Sequence, residues 1–427
     1  MSRPALQPPR GTRDFYPEDY RRRQWLFAHF REVAERFAFE GVDAPIVEHA
    51  ELFIRKAGEE IVEQLYHFTM HDRHLALRGE LTPSLARMVI ARAGSLRFPL
   101  RWYAIGQNWR YERMTRGRRR EHYQWNMEIV GEPDVTAEAE LIAATCALFG
   151  DVGLGAGDVR ILVNSRALLE ESLRGGVLAR RPEAFEPLCV VIDKLTKIGA
   201  DAVVDLLCDD AGPVSLKPAE ARDVVDMLGV AGIDEAARSL PPDAPSVAGL
   251  RRFFELLDAY GLADRVDFDA SVVRGLAYYT GIVFECFDSR GELRSICGGG
   301  RYDGLIEKLG GRPTPAVGFG MGDAVIHELL SDKQLLPELP PGIDDVVYAF
   351  GEAERPAAVA VANRLRSEGR RVDLVLGTPR LKRVMADANR RSVARIWLLG
   401  PDEVGRGMAK VRDLESGEEH EEAIERS

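Results

Sequence analysis

Arg101-Trp-Tyr-Ala-Ile-Gly-Gln-Asn-Trp-Arg-Tyr-Glu-Arg-Met-Thr-Arg-Gly-Arg-Arg-Arg-Glu-His-Tyr-Gln-Trp-Asn-Met-Glu128 is the stretch from which the rest of this chain can be read. Between Arg101 and Glu121 it holds seven arginines and two acids, in a chain of net charge −11. An acidic protein that concentrates positive charge so tightly builds a local anion site, because its overall field would repel an anion. The flanks are rich in aromatic and β-branched residues and predict two strands, with Met114–Arg119 as the connection and Gly117 supplying backbone freedom. Planar, permanently charged guanidinium forks on a hairpin suit polyphosphate, so the stretch points to a nucleotide.

At 427 residues the chain predicts two or three domains. With 45% hydrophobic and 29% charged residues it has the composition of an ordinary globular protein, and no apolar run is long enough to span a bilayer. The N-terminal segment has no apolar core of a signal peptide, and its acids argue against a transit peptide; a cytoplasmic location is expected. The five cysteines, Cys146, Cys189, Cys208, Cys286 and Cys297, have no close-pair spacing, which suggests a reduced protein without a disulfide framework. His67, His71 and His74 lie in what reads as a strand, an Asp-Arg turn and a second strand. Side chains so placed do not converge, and no metal ligand is assigned.

Working outward, apolar positions at helical spacing run from Tyr20 to Phe39 after a Pro17-Glu18-Asp19 start signal. Hairpins are expected around 64–80 and 101–130, with a helix over Thr82–Ala93 between them. Antiparallel strands mixed with helices in this order indicate α+β rather than a doubly wound sheet. The sequence divides into 1–166, a helical insertion over 167–262, a return of strand signals over 263–331, a proline-stiffened linker over 332–343, and a small α/β unit over 344–427. That last unit alternates strands and helices, carries a basic stretch at Arg371–Arg395, and reads as closing in a terminal helix with an acidic tail. Such a stripe could mark a nucleic-acid footprint, although charge runs are more often solvated faces.

Three clusters join the arginine-rich hairpin. In Leu77-Arg-Gly-Glu-Leu-Thr-Pro-Ser-Leu-Ala-Arg87, Glu80 and Thr82 stand where a strand gives way to a helix. They could hold an ammonium group, or Thr82 could simply cap the helix. In Val273-Arg-Gly-Leu-Ala-Tyr-Tyr-Thr-Gly-Ile-Val-Phe-Glu285, Arg274 could meet an anion and the paired tyrosines could supply hydroxyls; an aromatic sheet face with an edge arginine is the plainer reading. Cys297-Gly-Gly-Gly-Arg-Tyr-Asp-Gly304 and Ala316-Val-Gly-Phe-Gly-Met-Gly-Asp323 permit close approach to the backbone. The latter lacks the spacing of a dinucleotide fingerprint, so a Rossmann reading is rejected.

In order and combination these segments resemble the histidyl-tRNA synthetases, class II aminoacyl-tRNA synthetases, from Gly11-Thr-Arg-Asp-Phe-Tyr-Pro17 to the C-terminal unit. RYERMTRGRRREHYQWNMEIVG resembles class II motif 2, while RGLAYYTGIVFE and CGGGRYDGL resemble the two histidine-enzyme signatures. The resemblance implies an α+β class II antiparallel-sheet catalytic domain with a helical insertion and a small C-terminal α/β anticodon-binding domain. It implies a ligase that activates histidine with ATP and Mg²⁺ to histidyl-adenylate and then charges tRNA(His), as a homodimer. Carried over by position, Arg110, Glu112, Arg118 and Arg274 would bind ATP, with Arg110 and Arg274 on the α-phosphate and catalytic. Glu80, Thr82 and Gln124 would hold the α-amino group; Glu128 and Tyr279 would read the imidazole, with Tyr278 lining the pocket. Arg380, Lys382, Arg383 and Arg390 would contact tRNA.

Three positions depart from the family pattern. Gly79 stands where many members have proline, Ala277 where many have aspartate, and Val325 where motif 3 ordinarily carries an ATP-binding arginine. Loop arginines Arg116 or Arg119 are then the expected replacements on the terminal phosphates. The competing reading is a catalytically silent, histidine-sensing paralogue of the kind that regulates ATP phosphoribosyltransferase. It accords with Val325, but not with the intact Arg110, Arg118, Arg274, Glu80, Gln124 and Glu128 or with a C-terminal domain.

Overall fold

In the computed structural model, which describes residues 6–57, 63–179, 181–230, 232–241, 243–274 and 278–425, the contacts divide the chain into two compact units. The first is built on Arg23–Leu336 and the second on Pro337–Ser427. Ala277 lies outside the described residues.

The hairpin that opens the sequence argument is central to the first unit. Leu100–Trp109 pairs antiparallel with Glu121–Val130, so the connection covers Arg110 to Arg120 and is longer than the expected Met114–Arg119. Arg110 still pairs with Arg120 through the backbone, so the segment that turns lies between them; it is longer than expected because the regular strands stop at Trp109 and resume only at Glu121. Onto this hairpin are added, in order, the strands Ala316–Gly322, Cys297–Arg301, Ile282–Asp288 and Val159–Ser165, all antiparallel. Short parallel strands, Glu40–Gly41 and Val266–Phe268, close the two edges of this eight-stranded sheet. The α+β, antiparallel architecture is the one the order of strands and helices predicts.

Period-two alternation gives each face of the sheet its own chemistry. Trp125, Met127, Ile129, Phe284, Phe319 and Met321 point to one side, into a core shared with the helices Pro17–Arg36 and Thr136–Asp151. Phe30 stacks on Trp125 at 4.9 Å, and Phe319 meets the same indole edge-on at 5.1 Å. The opposite side presents Gln124, Asn126 and Glu128 beside glycines, and this is where the site lies.

The helices of 167–262 join two different cores. Residues from Leu169 to Leu228 pack around Leu188, Cys189, Val203, Leu207 and Val224. The helix Pro245–Ala259 instead buries Val247, Leu250, Phe253 and Leu257 in the main core. The His67–Met70 and Arg73–Leu77 hairpin turns at His71-Asp72, both at positive φ, rather than at Asp-Arg.

Arg301, from the second signature, is a structural tie. Its guanidinium makes two 2.6 Å hydrogen bonds to the fully buried Glu138 and further bonds to the carbonyls of Glu132 and Asp134. Burial pushes the Glu138 carboxyl up, and the Arg301 charge opposes that shift.

In the second unit, Val372–Leu374, Asp345–Ala349 and Arg395–Leu399 are parallel neighbours, followed by an antiparallel hairpin, Met408–Asp413 with Glu419–Ala423. The helix Arg355–Ser367 covers one face and Leu381–Arg390 the other. The acidic C-terminal stretch is therefore an edge strand, not the tail of a helix. Its acids face basic neighbours, Glu421 with Arg406 at 2.7 Å and Glu419 near Lys410 and Arg412, and a charged edge resists pairing with another chain.

Arg301→Ala leaves Glu138 buried without its cation, and the first unit should lose about 3–5 kcal/mol of stability. Equilibrium denaturation, read at the transition that exposes Trp125, checks this. A loss below about 1 kcal/mol, the range of an exposed pair, would contradict the assignment.

Candidate active site

Glu128 is 1% exposed, deep on the glycine-lined face of the sheet. Its cross-strand partner is Gly318, and a Cβ there would overlap the Glu128 carboxylate. In the same way a Cβ at Gly320 would run into the Gln124 amide, and one at Gly298 into the Arg274 guanidinium. The Gly-x-Gly-x-Gly run over 318–322 thus makes room for side chains, which is why its spacing fits no nucleotide fingerprint.

Three donors orient the Glu128 carboxylate. Thr82 Oγ1 donates to Oε1 at 3.0 Å, Asn126 Nδ2 approaches the same oxygen at 3.4 Å, and the Tyr302 hydroxyl donates to Oε2. The helix Thr82–Arg92 carries Leu81 at its N-cap with no side-chain cap, so the capping role considered for Thr82 is replaced by a contact with the site. The Tyr278 ring centroid lies 4.7 Å from that of Tyr279 and 5.7 Å from that of Tyr302, and all three are buried. Burial raises the Tyr278 and Tyr302 hydroxyls well above the ordinary phenol range, helped by Tyr279, Glu80 and Glu128 at Tyr278 and by Glu128 at Tyr302; burial also raises Tyr279. All three therefore remain donors at neutral pH. Further along the strand that carries Glu128, Gln124 Oε1 accepts from Asn108 Nδ2 at 3.0 Å.

A cationic side adjoins this carboxylate pocket. Arg110 Nε donates to the Gly79 carbonyl at 2.8 Å and its Nη2 lies 4.0 Å from Glu80. Gly79 thus places Arg110 through its backbone, whatever its lack of a proline ring does to the strand end. Arg118 pairs with Glu112, and Arg274, at φ 59, pairs with Glu285. Backbone held in the left-handed region by an arginine is strained. His122 lies amid the fields of Arg110, Arg13, Arg294 and Arg118. Burial first, and then those charges, depress its imidazole to about 3.

Glu80, Thr82, Gln124, Glu128, Tyr278 and Tyr279 are thus brought together, with Arg110, Arg118 and Arg274 beside them. Asn126, Glu285 and Tyr302 were not singled out from the sequence. Tyr302 could have been found from its place in CGGGRYDGL, and Asn126 from its period-two relation to Glu128. Among the loop arginines, Arg116 is already matched, at 3.2 Å from Glu328 and 2.6 Å from Asp332. Val325 is buried in the main core, and a Cβ at Gly117 would stand 3.1 Å from its side chain, so the loop lies directly over it. Among the described residues no group of three His, Cys, Asp or Glu side chains could hold a metal ion.

In the second unit Arg380 precedes the helix Leu381–Arg390, which buries Val384 and Ala388 and leaves its other sides exposed. Arg380, Lys382, Arg383 and Arg390 are all exposed, with Arg390 paired to Asp387. Arg371, Arg391 and Arg395, counted in the basic stretch, are taken up by Asp344, Asp373 and Asp345.

Comparison with known proteins places the whole chain. The chain is 49% identical over 417 residues to a chloroplastic/mitochondrial histidine–tRNA ligase of Arabidopsis thaliana, covering 97% of this chain and 84% of that one. It is 38% identical over 412 residues to a histidine–tRNA ligase of Opitutus terrae, covering 95% and 93%. The fold superposes on the histidyl-tRNA synthetase of Nostoc sp. PCC 7120 with TM-score 0.76 at 24% identity, over 98% and 97% of the two chains. Residues 345–426 match the family model for an anticodon binding domain. With residues 11–323 matching the family model for histidyl-tRNA synthetase, the chain belongs to that family.

Proposed function

We infer that this chain is a histidine–tRNA ligase: it activates histidine with ATP and transfers the histidyl group to the 3′ end of tRNA(His). The observation that carries this reading is the buried Glu128 carboxylate, oriented by Thr82, Asn126 and Tyr302 next to an arginine array. An imidazole presents both N–H and N to its surroundings, and a buried carboxylate among phenol hydroxyls matches it. A side chain of similar size without those groups would forgo the hydrogen bonds that an imidazole can make in this pocket, at a cost of about 1–3 kcal/mol for each polar group left unmet. Glu80, Thr82 and Gln124 would take the α-amino group. That leaves the carboxylate facing the cations. Arg110 and Arg274 would then stabilise charge on the α-phosphate as the histidine carboxylate attacks in line and pyrophosphate leaves.

Mg²⁺ would arrive with ATP and neutralise phosphate charge, with Glu112 and Glu285 as the carboxylates on that side. The second unit would read tRNA through Arg380, Lys382, Arg383 and Arg390. The active form would be a homodimer working in the cytoplasm. No helix among the described residues is long and apolar enough to cross a membrane. A silent sensing paralogue would have no use for an intact cationic array or for the anticodon-binding domain.

The test is histidine-dependent ATP–pyrophosphate exchange followed by tRNA charging. Exchange with histidine alone is expected, and tight histidine binding without exchange would overturn the reading. Glu128→Gln should lower kcat/KM for histidine about 100-fold and Tyr302→Phe about tenfold, with the ATP KM little changed. Equal losses for both substrates would argue against a histidine-reading role.

His122 reports on the same electrostatics. The unfolded chain takes up a proton at this residue near pH 6.5, whereas the folded protein refuses it down to about 3. The contribution of this group is therefore fully retained above pH 6.5 and is lost as pH falls, by about 2 kcal/mol at pH 5. Denaturation at pH 7 and pH 5 should show His122→Asn losing less stability than the wild type over that interval.

Replacing Arg380, Lys382 and Arg383 together by alanine should weaken tRNA binding and reduce its log–log salt slope by about 1 per lost phosphate contact. Exchange should be unaffected. An unchanged slope would remove these residues from the tRNA footprint.

A further inference from the structure

The helix Asp323–Asp332 offers the site no cation, because its Val325 is apolar, buried and covered by the Gly117 loop. Of the two expected replacements, Arg116 is neutralised by Glu328 and Asp332, and Arg119 is exposed on the loop. Four other guanidiniums act on His122, those of Arg13, Arg110, Arg118 and Arg294, and three of them are already committed. Arg13 sits between Glu121 and Asp323, Arg110 between the Gly79 carbonyl and Glu80, and Arg118 on Glu112.

Arg294 differs. It belongs to neither signature and lies on the connection between the strands Ile282–Asp288 and Cys297–Arg301. Among the described residues it forms no ion pair and no hydrogen bond. Its backbone, by contrast, is fixed on both sides. Asp288 Oδ1 accepts from the amides of Arg290 and Glu292 and Oδ2 from that of Leu293, while the Ser295 hydroxyl donates to the Cys297 carbonyl and the Ile296 amide to the Cys286 carbonyl. The strand register also leads this connection towards the site. Cys297 pairs with Met321, which pairs with Trp125, so the chain before Cys297 leads towards the start of the helix Asp323–Asp332 and the start of the His122 strand.

An unmatched guanidinium on a rigid root, beside two others, is held in an unfavourable field that a multiply charged anion would relieve. Although its side chain is solvent-exposed, the surrounding protein and the charges of Arg118 and Arg110 lower its proton affinity, and Glu112 and Glu285 partly offset them. We propose that Arg294 is an ATP-binding residue that holds the terminal phosphates, and the leaving pyrophosphate, from the side where Val325 leaves the site without a cation. The proposal rests on the ATP-dependent activation inferred above. In that step the histidine carboxylate oxygen bonds to the α-phosphorus, the α–β bridging P–O bond breaks, and its electron pair departs on pyrophosphate. Arg294 faces the charge that this departure creates.

The experiment compares wild type, Arg294→Ala and Arg294→Lys in histidine-dependent exchange, varying ATP, pyrophosphate and histidine separately. Transfer of preformed histidyl-adenylate to tRNA is followed in parallel. For Arg294→Ala the KM values for ATP and pyrophosphate should rise about 10- to 100-fold, the loss of a charge-assisted contact. The histidine KM and the transfer rate should stay within about twofold, and Arg294→Lys should recover part of the loss. These last readouts separate a phosphate contact from a merely structural arginine, whose loss would move every constant together. If the wild type exchanges normally and Arg294→Ala keeps both phosphate constants within twofold, or all constants move together, the assignment of Arg294 is overturned. A wild type that shows no exchange would instead overturn the activation reading, and this proposal with it.

Discussion

The carboxylate of Glu128 can stand on the sheet only because the residue opposite it, Gly318, has no Cβ. Burying a carboxylate in an apolar interior costs several kcal/mol unless donors surround it. Here the sheet supplies the space, and Thr82, Asn126 and Tyr302 supply the donors from a helix, the same strand and a loop. Gly298 and Gly320 repeat the device for Arg274 and Gln124. Polar groups can therefore lie on one face while Trp125, Met127 and Phe319 fill the other with a packed aromatic core. The rigidity of that core gives the site its geometry, since a shift of register by one residue would exchange the two faces.

Charge is distributed with the same economy. Four of the seven arginines that crowd the hairpin sequence have carboxylate partners, Arg116 in Glu328 and Asp332, Arg118 in Glu112, Arg101 in Glu140 and Arg110, more distantly, in Glu80. The basic stretch therefore does not act as one undivided positive field. It is a set of neutralised ties around a smaller array near His122. In the second unit the same sorting occurs: Arg371, Arg391 and Arg395 fasten strands and helix to aspartates, leaving Arg380, Lys382 and Arg383 exposed at the start of one helix. Asp345 draws Arg395, Arg370 and the Trp397 indole N–H into a buried node, so part of the basic composition is structural.

What was legible in the sequence was whatever depends on local period and residue type. The hairpin, the strand chemistry around Glu128, the helix beginning near Thr82 and the alternating α/β unit all follow from alternation, start signals and turn residues. Errors arose where a neighbour distant in sequence decides the outcome. Thr82 looked like a cap because its partner Glu128 lies in another element. The acidic C-terminus looked like a helical tail because strand pairing with Met408–Asp413 has no local signature. Arg116 looked free because the carboxylates that bind it belong to a helix more than two hundred residues further along the chain.

The sequence by itself determined the fold class, the family resemblance and most of the residues that converge, because period-two alternation and long ungapped motifs are carried by consecutive residues. Only the tertiary structure decided which charges are spent and which remain. It showed Tyr302 and Asn126 on the Glu128 carboxylate, Glu285 on Arg274, Val325 beneath Gly117, and Arg294 unmatched next to the array. The physical reason is that ion pairing and desolvation depend on distances through space, and sequence order does not fix those distances until the sheet has brought its strands together.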